Sequence, residues 1–343
     1  MARLLRDPDR GSQGKRPMLV RLLLPLALLA ACDGPQSALD VAGRDAERVA
    51  RLWWWMAAGA AVVWCAMVAL TVACVRVDPR RHRDRAARVL IIGGGTVVPV
   101  VVLGALLGYG LASTPELLAL PPPGGLVVAV SGEQFWWRVR YHPNDSDVAA
   151  FELANEIWLP VGERIELRLS SPDVIHSFWA PSLGGKMDMT PGRVTRIALE
   201  PTRTGVYRGA CAEYCGDSHA FMNFDVVVVE RAELVDWMER QALPAAAPAS
   251  EEAARGQRFF LADGCGACHT IRGTAADGVV GPDLTHVGSR ARLAAGMLPR
   301  DRAGLARWIE QADRIKPGSH MPMFGMVDRS HVTALAAYLD GLR

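Results

Sequence analysis

The sequence predicts two transmembrane α-helices, then an all-β domain, then a small all-α domain. Three observations carry that prediction: two long apolar stretches near the N-terminus, a series of short β-rich runs separated by turn residues, and a Cys-x-x-Cys-His motif within a helical pattern towards the C-terminus. The chain has 343 residues, of which 50% are hydrophobic, and a net charge of only +2. That length suits two or three folded units, and that charge gives no reason to expect a nucleic-acid partner.

Residues 1–31 read as an export signal. Arg3, Arg6, Arg10, Lys15, Arg16 and Arg21 make a basic start, and the apolar core over 22–31 is too short to span a bilayer. It ends in Leu29-Ala30-Ala31-Cys32, which is similar to a bacterial lipobox whose cysteine is lipidated. A plain signal peptide is the alternative. The membrane unit, 45–120, holds two stretches free of acids and bases, 52–75 and 89–111. At about 1.5 Å per residue each can cross a hydrocarbon core of ~30 Å. Between them, 76–88 contains six arginines and two aspartates, so this loop should stay cytoplasmic and everything after 111 should be periplasmic. Trp53, Trp54 and Trp55 fit an outer aromatic belt. Glycines at 93, 94, 95, 104, 108 and 110 permit close packing of the second span on another membrane protein. Cys65 and Cys74 read as apolar fillers.

Pro121, Pro122, Pro123, Gly124 and Gly125 break the helical pattern. In the domain that follows, 126–230, β-rich runs at 127–130, 136–141, 156–159, 164–169, 193–199 and 225–229 predict a sandwich or barrel. Its chemistry lies in 211–222, where Cys211, Cys215, His219 and Met222 share one loop. Thiolate, imidazole and thioether together select copper. One cysteine, one histidine and one methionine would make a mononuclear site, whereas the second thiolate calls for a second metal ion. Two bridging sulfurs let two coppers share one unpaired electron. Such a centre needs another histidine, and His176 is the best candidate; His142 sits in a turn beside Pro143 and Asn144. Zinc is disfavoured by the methionine.

With these motifs assembled, the chain resembles cytochrome c oxidase subunit II. The resemblance runs over about residues 45–230 and is carried by the two spans, the aromatic run Glu133 to Tyr141, Val174-Ile175-His176-Ser177-Phe178, Met189-Thr190-Pro191-Gly192 and the copper loop. It implies a cupredoxin fold and a binuclear CuA centre held by His176, Cys211, the backbone carbonyl of Glu213, Cys215, His219 and Met222. It also implies a magnesium ion, shared with subunit I, near the Glu213 carboxylate. In such proteins an exposed aromatic residue admits electrons. Trp136 is chosen here, with Phe135 and Trp137 left open by strand alternation.

Residues 231–250, ending in the proline-containing 243–250, read as an interdomain linker. In 251–343, Cys265 and Cys268 match the thioether positions of a covalent haem c, and His269 matches its proximal ligand. Lys316 to Phe324 resembles the methionine loop of class I cytochromes c. Met321 is then the second axial ligand, ahead of Met323, Met326 and His320. Gly281-Pro282 matches the loop whose proline packs on the haem. Tyr338 is expected against Phe259 or Phe260, and His286 and His331 are expected at the surface.

Residues 126–230 carry nine basic and fourteen acidic side chains; residues 251–343 carry twelve and ten. Opposite signs favour docking of the two domains. Neither span contains histidine, so oxygen reduction must belong to a partner. The resemblance implies a caa-type oxidase subunit of the bacterial inner membrane, partnered by subunit I and subunit III. Electrons would come from soluble cytochrome c or a quinol:cytochrome c reductase and pass through haem and CuA to oxygen, with proton pumping. The alternative is the same module feeding a nitric oxide reductase.

Overall fold

The computed structural model describes residues 34, 36–76, 84–121, 123–146 and 150–343. The expected export signal, the lipobox cysteine and most of the basic loop lie outside these residues. Two helices are long and apolar enough to cross a membrane, α1 (Arg44–Arg76) and α2 (Asp84–Leu117). Both run past their apolar stretches. Asp45 and Glu47 favour the start of α1, since acids suit the positive end of a helix dipole. Within α2, Leu90–Val97 widens into π-helical turns, and the Val98 N–H bonds back to the Gly93 carbonyl. Pro99 has no N–H for the normal ladder, and three successive glycines resist local unwinding weakly.

The spans are tied to the β-domain at their outer ends. The Ala42 N–H donates to the Ser182 carbonyl, Arg164 reaches Asp45 at 3.1 Å, and Arg48 reaches Glu116 at 2.6 Å.

Ten strands make two facing sheets. The first contains β1 (Val127–Glu133), β2 (Trp136–His142), β3 (Phe151–Ala154), β5 (Ile165–Ser170) and β8 (Thr195–Leu199), in the order β3-β2-β1-β5-β8. The second contains β4 (Glu156–Pro160), β6 (His176–Trp179), β7 (Met187–Met189), β9 (Gly205–Cys211) and β10 (Asn223–Val229), in the order β4-β10-β9-β6-β7. The pairs β1–β5 and β4–β10 are parallel and the rest antiparallel. Alternation sends Trp137, Val139 and Tyr141 of β2 inward, where they meet Leu153, Ile157, Leu167, Phe178 and Phe224. This is the cupredoxin-like sandwich that the resemblance implied. It places the ends of β6 and β9 side by side, with Phe178 opposite Cys211.

Most of the expected linker, 231–250, is instead a helix, α3 (Arg231–Ala242), packed on the sandwich. Leu234, Trp237 and Gln241 recur at helical spacing and are buried. The Trp237 ring stacks on Trp158 at 4.7 Å and meets Tyr141 edge-on at 5.4 Å. Only 243–250, where Pro244 and Pro248 stand, forms neither helix nor strand.

The C-terminal domain is built on α4 (Glu251–Ala262), α5 (Arg302–Ile315) and α6 (Arg329–Gly341). Ser250, Asp301 and Asp328 cap their N-termini by accepting from backbone N–H groups at 3.1, 2.6 and 2.7 Å. Gly256 lets α4 cross α6 directly against the Ala334 backbone and Tyr338. Tyr338 packs on Phe260, with ring centroids 6.1 Å apart, while Phe259 stacks on a half-buried His331 at 3.7 Å. His286, expected at the surface, is buried: the 243–250 segment folds over it, and its Nε2 lies 3.0 Å from the Leu243 carbonyl oxygen.

The two domains meet in a polar seam. Arg290 donates to the Ala154 carbonyl at 3.0 Å, the Ala291 N–H donates to Glu156 at 3.0 Å, and Arg292 lies 3.5 Å from Asp225. Of these three contacts, Arg292 with Asp225 pairs a base of the C-terminal domain with an acid of the sandwich.

Candidate metal centre and haem site

Five side chains from two strands and one loop converge at the end of the sandwich. His176 opens β6 and is fully buried, and Cys211 closes β9. Cys215, His219 and Met222 lie on the loop leading to β10. The thiols of Cys211 and Cys215 are 3.9 Å apart and not joined as a disulfide. The Cys211 Sγ is 3.8 Å from His176 Nδ1 and 3.1 Å from the Glu213 carbonyl oxygen. The Cys215 Sγ is 3.5 Å from His219 Nδ1 and 3.8 Å from Met222 Sδ. Every residue expected in the copper shell therefore touches one of the two sulfurs. Among the described residues, His176, Cys211 and Cys215 form the one cluster of histidine, cysteine and acid whose ligand atoms could hold a metal ion.

The electrostatics suit a cation. The hydrogen bond from Cys215, then that from His176, holds the Cys211 thiol down at about 3 against the effect of burial, while the same pairing pushes the Cys215 thiol up. Cys211 is thus the thiol of the pair that ionises first, and a metal would displace the proton on the other. The soft donor set fits copper on this geometry.

Residues outside the expected set hold this shell in place. Asp173 Oδ1 lies 2.8 Å from His176 Nε2 and turns Nδ1 towards the sulfurs. Burial opposes its ionisation, yet hydrogen bonds from the Gln134 N–H, His176 and the Val174 N–H keep the Asp173 carboxyl below its ordinary range. Gln134 also donates to the Cys215 carbonyl at 2.5 Å. Gly132 is required where β1 passes the imidazole, because a Cβ there would sit 2.9 Å from His176 Cγ. Gln134 lies in the aromatic run and Asp173 directly precedes the Val174–Phe178 motif, but nothing in their spacing marks their partners.

The three aromatic residues part company. Trp137 is fully buried among Phe178 and Phe224, and its Nε1–H donates to the Met222 carbonyl at 3.3 Å. It props the metal loop and is not a surface group. Trp136 is half-buried at the seam. Phe135 is 6% exposed and lies between the metal loop and the C-terminal domain. A Cβ on Gly216 or on Gly318 would each lie 3.1 Å from its ring.

In the C-terminal domain, Cys265, Cys268 and His269 follow α4 as one short turn, with both thiols free. His269 is deprotonated more readily than usual because it is buried, and its Nδ1–H donates to the Pro282 carbonyl at 2.8 Å. That leaves Nε2 available for iron. Gly281 is required there, since a Cβ would lie 2.5 Å from His269 Cε1. Met321 is partly buried against the domain core, whereas Met323 and Met326 are exposed, at 49% and 102%. His320 is also exposed. The residues present fit a covalently held haem.

Both domains have known relatives. Residues 126–231 match the family described as cytochrome c oxidase subunit II, periplasmic domain, and residues 253–343 match the cytochrome c family. A cytochrome c oxidase subunit 2 from Alkalihalophilus pseudofirmus is 33% identical over 253 residues, covering 72% of this chain and 72% of that one. Another from Bacillus subtilis is 30% identical over 268 residues, covering 72% and 73%. Among solved structures, the periplasmic domain of subunit II of cytochrome oxidase from Bradyrhizobium japonicum is 31% identical, with a TM-score of 0.30, covering 35% of this chain and 95% of that one.

Proposed function

The chain belongs to the cytochrome c oxidase subunit II family, extended by a cytochrome c domain, and from that premise we propose that it admits electrons at a covalent haem c and delivers them through a two-copper CuA centre to subunit I for oxygen reduction coupled to proton pumping. As a subunit of a haem-copper oxidase it is part of an oxidoreductase. The two cofactors, when bound, each supply a one-electron carrier. His176, Cys211, the Glu213 carbonyl, Cys215, His219 and Met222 would hold the coppers. Cys265 and Cys268 would form the thioethers, and His269 and Met321 would ligate the iron beside Pro282. The Glu213 side chain is left for a magnesium ion at the subunit I interface.

One observation carries this reading: both ligand sets border the same seam, and Phe135 lies against the loops of both. The relatives named above are cytochrome c oxidase subunits, which favours oxygen over nitric oxide as terminal acceptor. The two long apolar helices support a multi-pass protein of the bacterial inner membrane, with both cofactor domains and the Cys32 lipid anchor on the periplasmic side. Soluble cytochrome c or a quinol:cytochrome c reductase would supply electrons, and subunit III would complete the complex.

Elemental and redox analysis of the purified complex tests the assignment. A soluble digest of this subunit should contain two coppers for each haem iron, and a mixed-valence copper spectrum should appear on oxidation. One copper for each iron, or none, would refute the binuclear centre. Trp136 is retained as the residue that admits electrons to the copper side. Trp136→Ala should slow reduction of copper by haem several-fold, since loss of the ring leaves a wider gap for the electron to cross. Flash photoreduction of the haem measures this, and a larger loss in Phe135→Leu would transfer the role to Phe135.

A further inference from the structure

The seam contains an arginine that neither ligand set uses. Arg138 stands in the middle of β2 and is only 5% exposed. A buried guanidinium persists only when its donors are satisfied. Its Nε and Nη2 donate to the two oxygens of Glu133, at 2.6 and 3.0 Å, and its Nη1 donates to Glu152 at 2.6 Å. Glu152 is also paired with Arg140, at 2.8 Å, so its neutralisation does not require the rest of the Arg138 geometry.

The remaining contacts of Arg138 point across the seam. Nη2 donates to the carbonyls of Val279, at 3.0 Å, and Val280, at 3.2 Å. The guanidinium also lies over the Trp136 ring, 4.6 Å from its centroid. Val279 and Val280 directly precede Gly281 and Pro282, and the Pro282 carbonyl orients His269. One side chain thus connects the aromatic ring on the copper side to the loop that fixes the haem histidine. The opposite lip of the haem site is pinned separately, by Ser218 Oγ donating to the Pro317 carbonyl at 2.7 Å, four residues ahead of Met321.

We propose that Arg138 is a positioning residue for electron transfer between the two cofactors: it sets the register of the 279–282 loop against Trp136. With both groups bound, the transfer it serves would move one electron from the haem, oxidised from ferrous to ferric, to the copper pair, reduced by one electron, with no bond made or broken. An arginine suits the task because its planar fork chelates a carboxylate on one edge, presents donors to two carbonyls on another and still offers a face to an indole. A lysine retains the charge but has a single pivot and no plane. The inference rests on the cofactor reading above.

The test uses the purified oxidase complex with Arg138→Gln and Arg138→Lys. Copper reduction is followed after photoreduction of the haem, and amide hydrogen exchange is measured over 278–281, where the Gly278 and Gly281 N–H groups are bonded within the domain. Both variants should lose rate several-fold, because electron transfer slows steeply as the gap between the two carriers widens. Both should exchange faster over 278–281, with copper and haem contents and reduction potentials unchanged. Arg140→Gln, which alters the exposed neighbour 2.8 Å from the same Glu152, should leave rate and exchange as they were. An unchanged rate in Arg138→Lys would show that Arg138 merely neutralises its two acids, and it overturns the proposal even if Arg138→Gln fails to fold. Unchanged rate in Arg138→Gln overturns it equally. A wild-type complex lacking either cofactor overturns the underlying reading and this inference together, whereas a fully loaded complex with normal variant rates overturns the inference alone.

Discussion

Cys215→Ser is expected to abolish the two-copper signal of the purified complex while leaving the haem c spectrum intact. The reason is the position of Cys215 at the hub of the shell: its sulfur lies 3.9 Å from Cys211, 3.5 Å from His219 Nδ1 and 3.8 Å from Met222 Sδ. Serine fits the space, so the sandwich core of Trp137, Phe178 and Phe224 has no cause to rearrange. Its hydroxyl is a hard and weakly acidic donor, and it cannot bridge two soft cations. Loss of a ligating atom should exceed the roughly 10- to 100-fold in metal affinity that follows loss of an outer hydrogen-bond partner. Copper analysis, the mixed-valence absorption and oxygen uptake with reduced cytochrome c should therefore all fall together. Survival of the mixed-valence signal in this variant would sink the ligand assignment. A complete loss of haem as well would show that the two sites are not independently built.

Where the chemistry is contiguous, the sequence is easy to read. Cys211, Cys215, His219 and Met222 share one loop, and the gaps between them allow them to turn inward together, so their convergence needs little knowledge of the fold. His176 comes from 35 residues earlier. Only the pairing of β6 with β9 brings it to Cys211. The supporting residues were much less visible. Asp173 looks like any turn aspartate until its Oδ1 is seen beside His176 Nε2. The helix over Arg231–Ala242 is hidden because its apolar positions are interleaved with charges and its neighbourhood runs into an alanine- and proline-rich stretch. Its stability comes from Trp237 against Trp158 and Tyr141, a tertiary contribution that local propensity does not report. His286 reads as a surface residue for the same reason, since its partner Leu243 lies 43 residues away in the chain. The seam is the least legible part. Arg138 binds the backbone carbonyls of Val279 and Val280, and a carbonyl carries no side-chain signature.

The reciprocal experiment has an equally large expected effect. Cys265→Ala combined with Cys268→Ala should eliminate covalent haem, read as loss of haem that stays with the chain after denaturation, while the copper signal remains. The expectation follows from the separation of the two cores. The sandwich core closes around Trp137, Tyr141, Leu167 and Phe224, whereas the C-terminal core closes around Phe260, Ile271, Leu335 and Tyr338. No residue of one core is shared by the other, so the copper loop keeps its supports, Trp137, Gln134 and Asp173, when the thioethers are removed. What should change is delivery. Without a fixed haem the 279–282 loop loses the group it presents, and electrons from soluble cytochrome c must reach the copper side without an intermediate carrier. Steady oxygen uptake should drop, and it should be restored in part by a small-molecule reductant able to reach Trp136 directly. If the double variant retained covalent haem, attachment would lie elsewhere in the chain. If it lost copper as well, the seam would be doing more than positioning, and the metal loop would depend on the docked domain for its own shape.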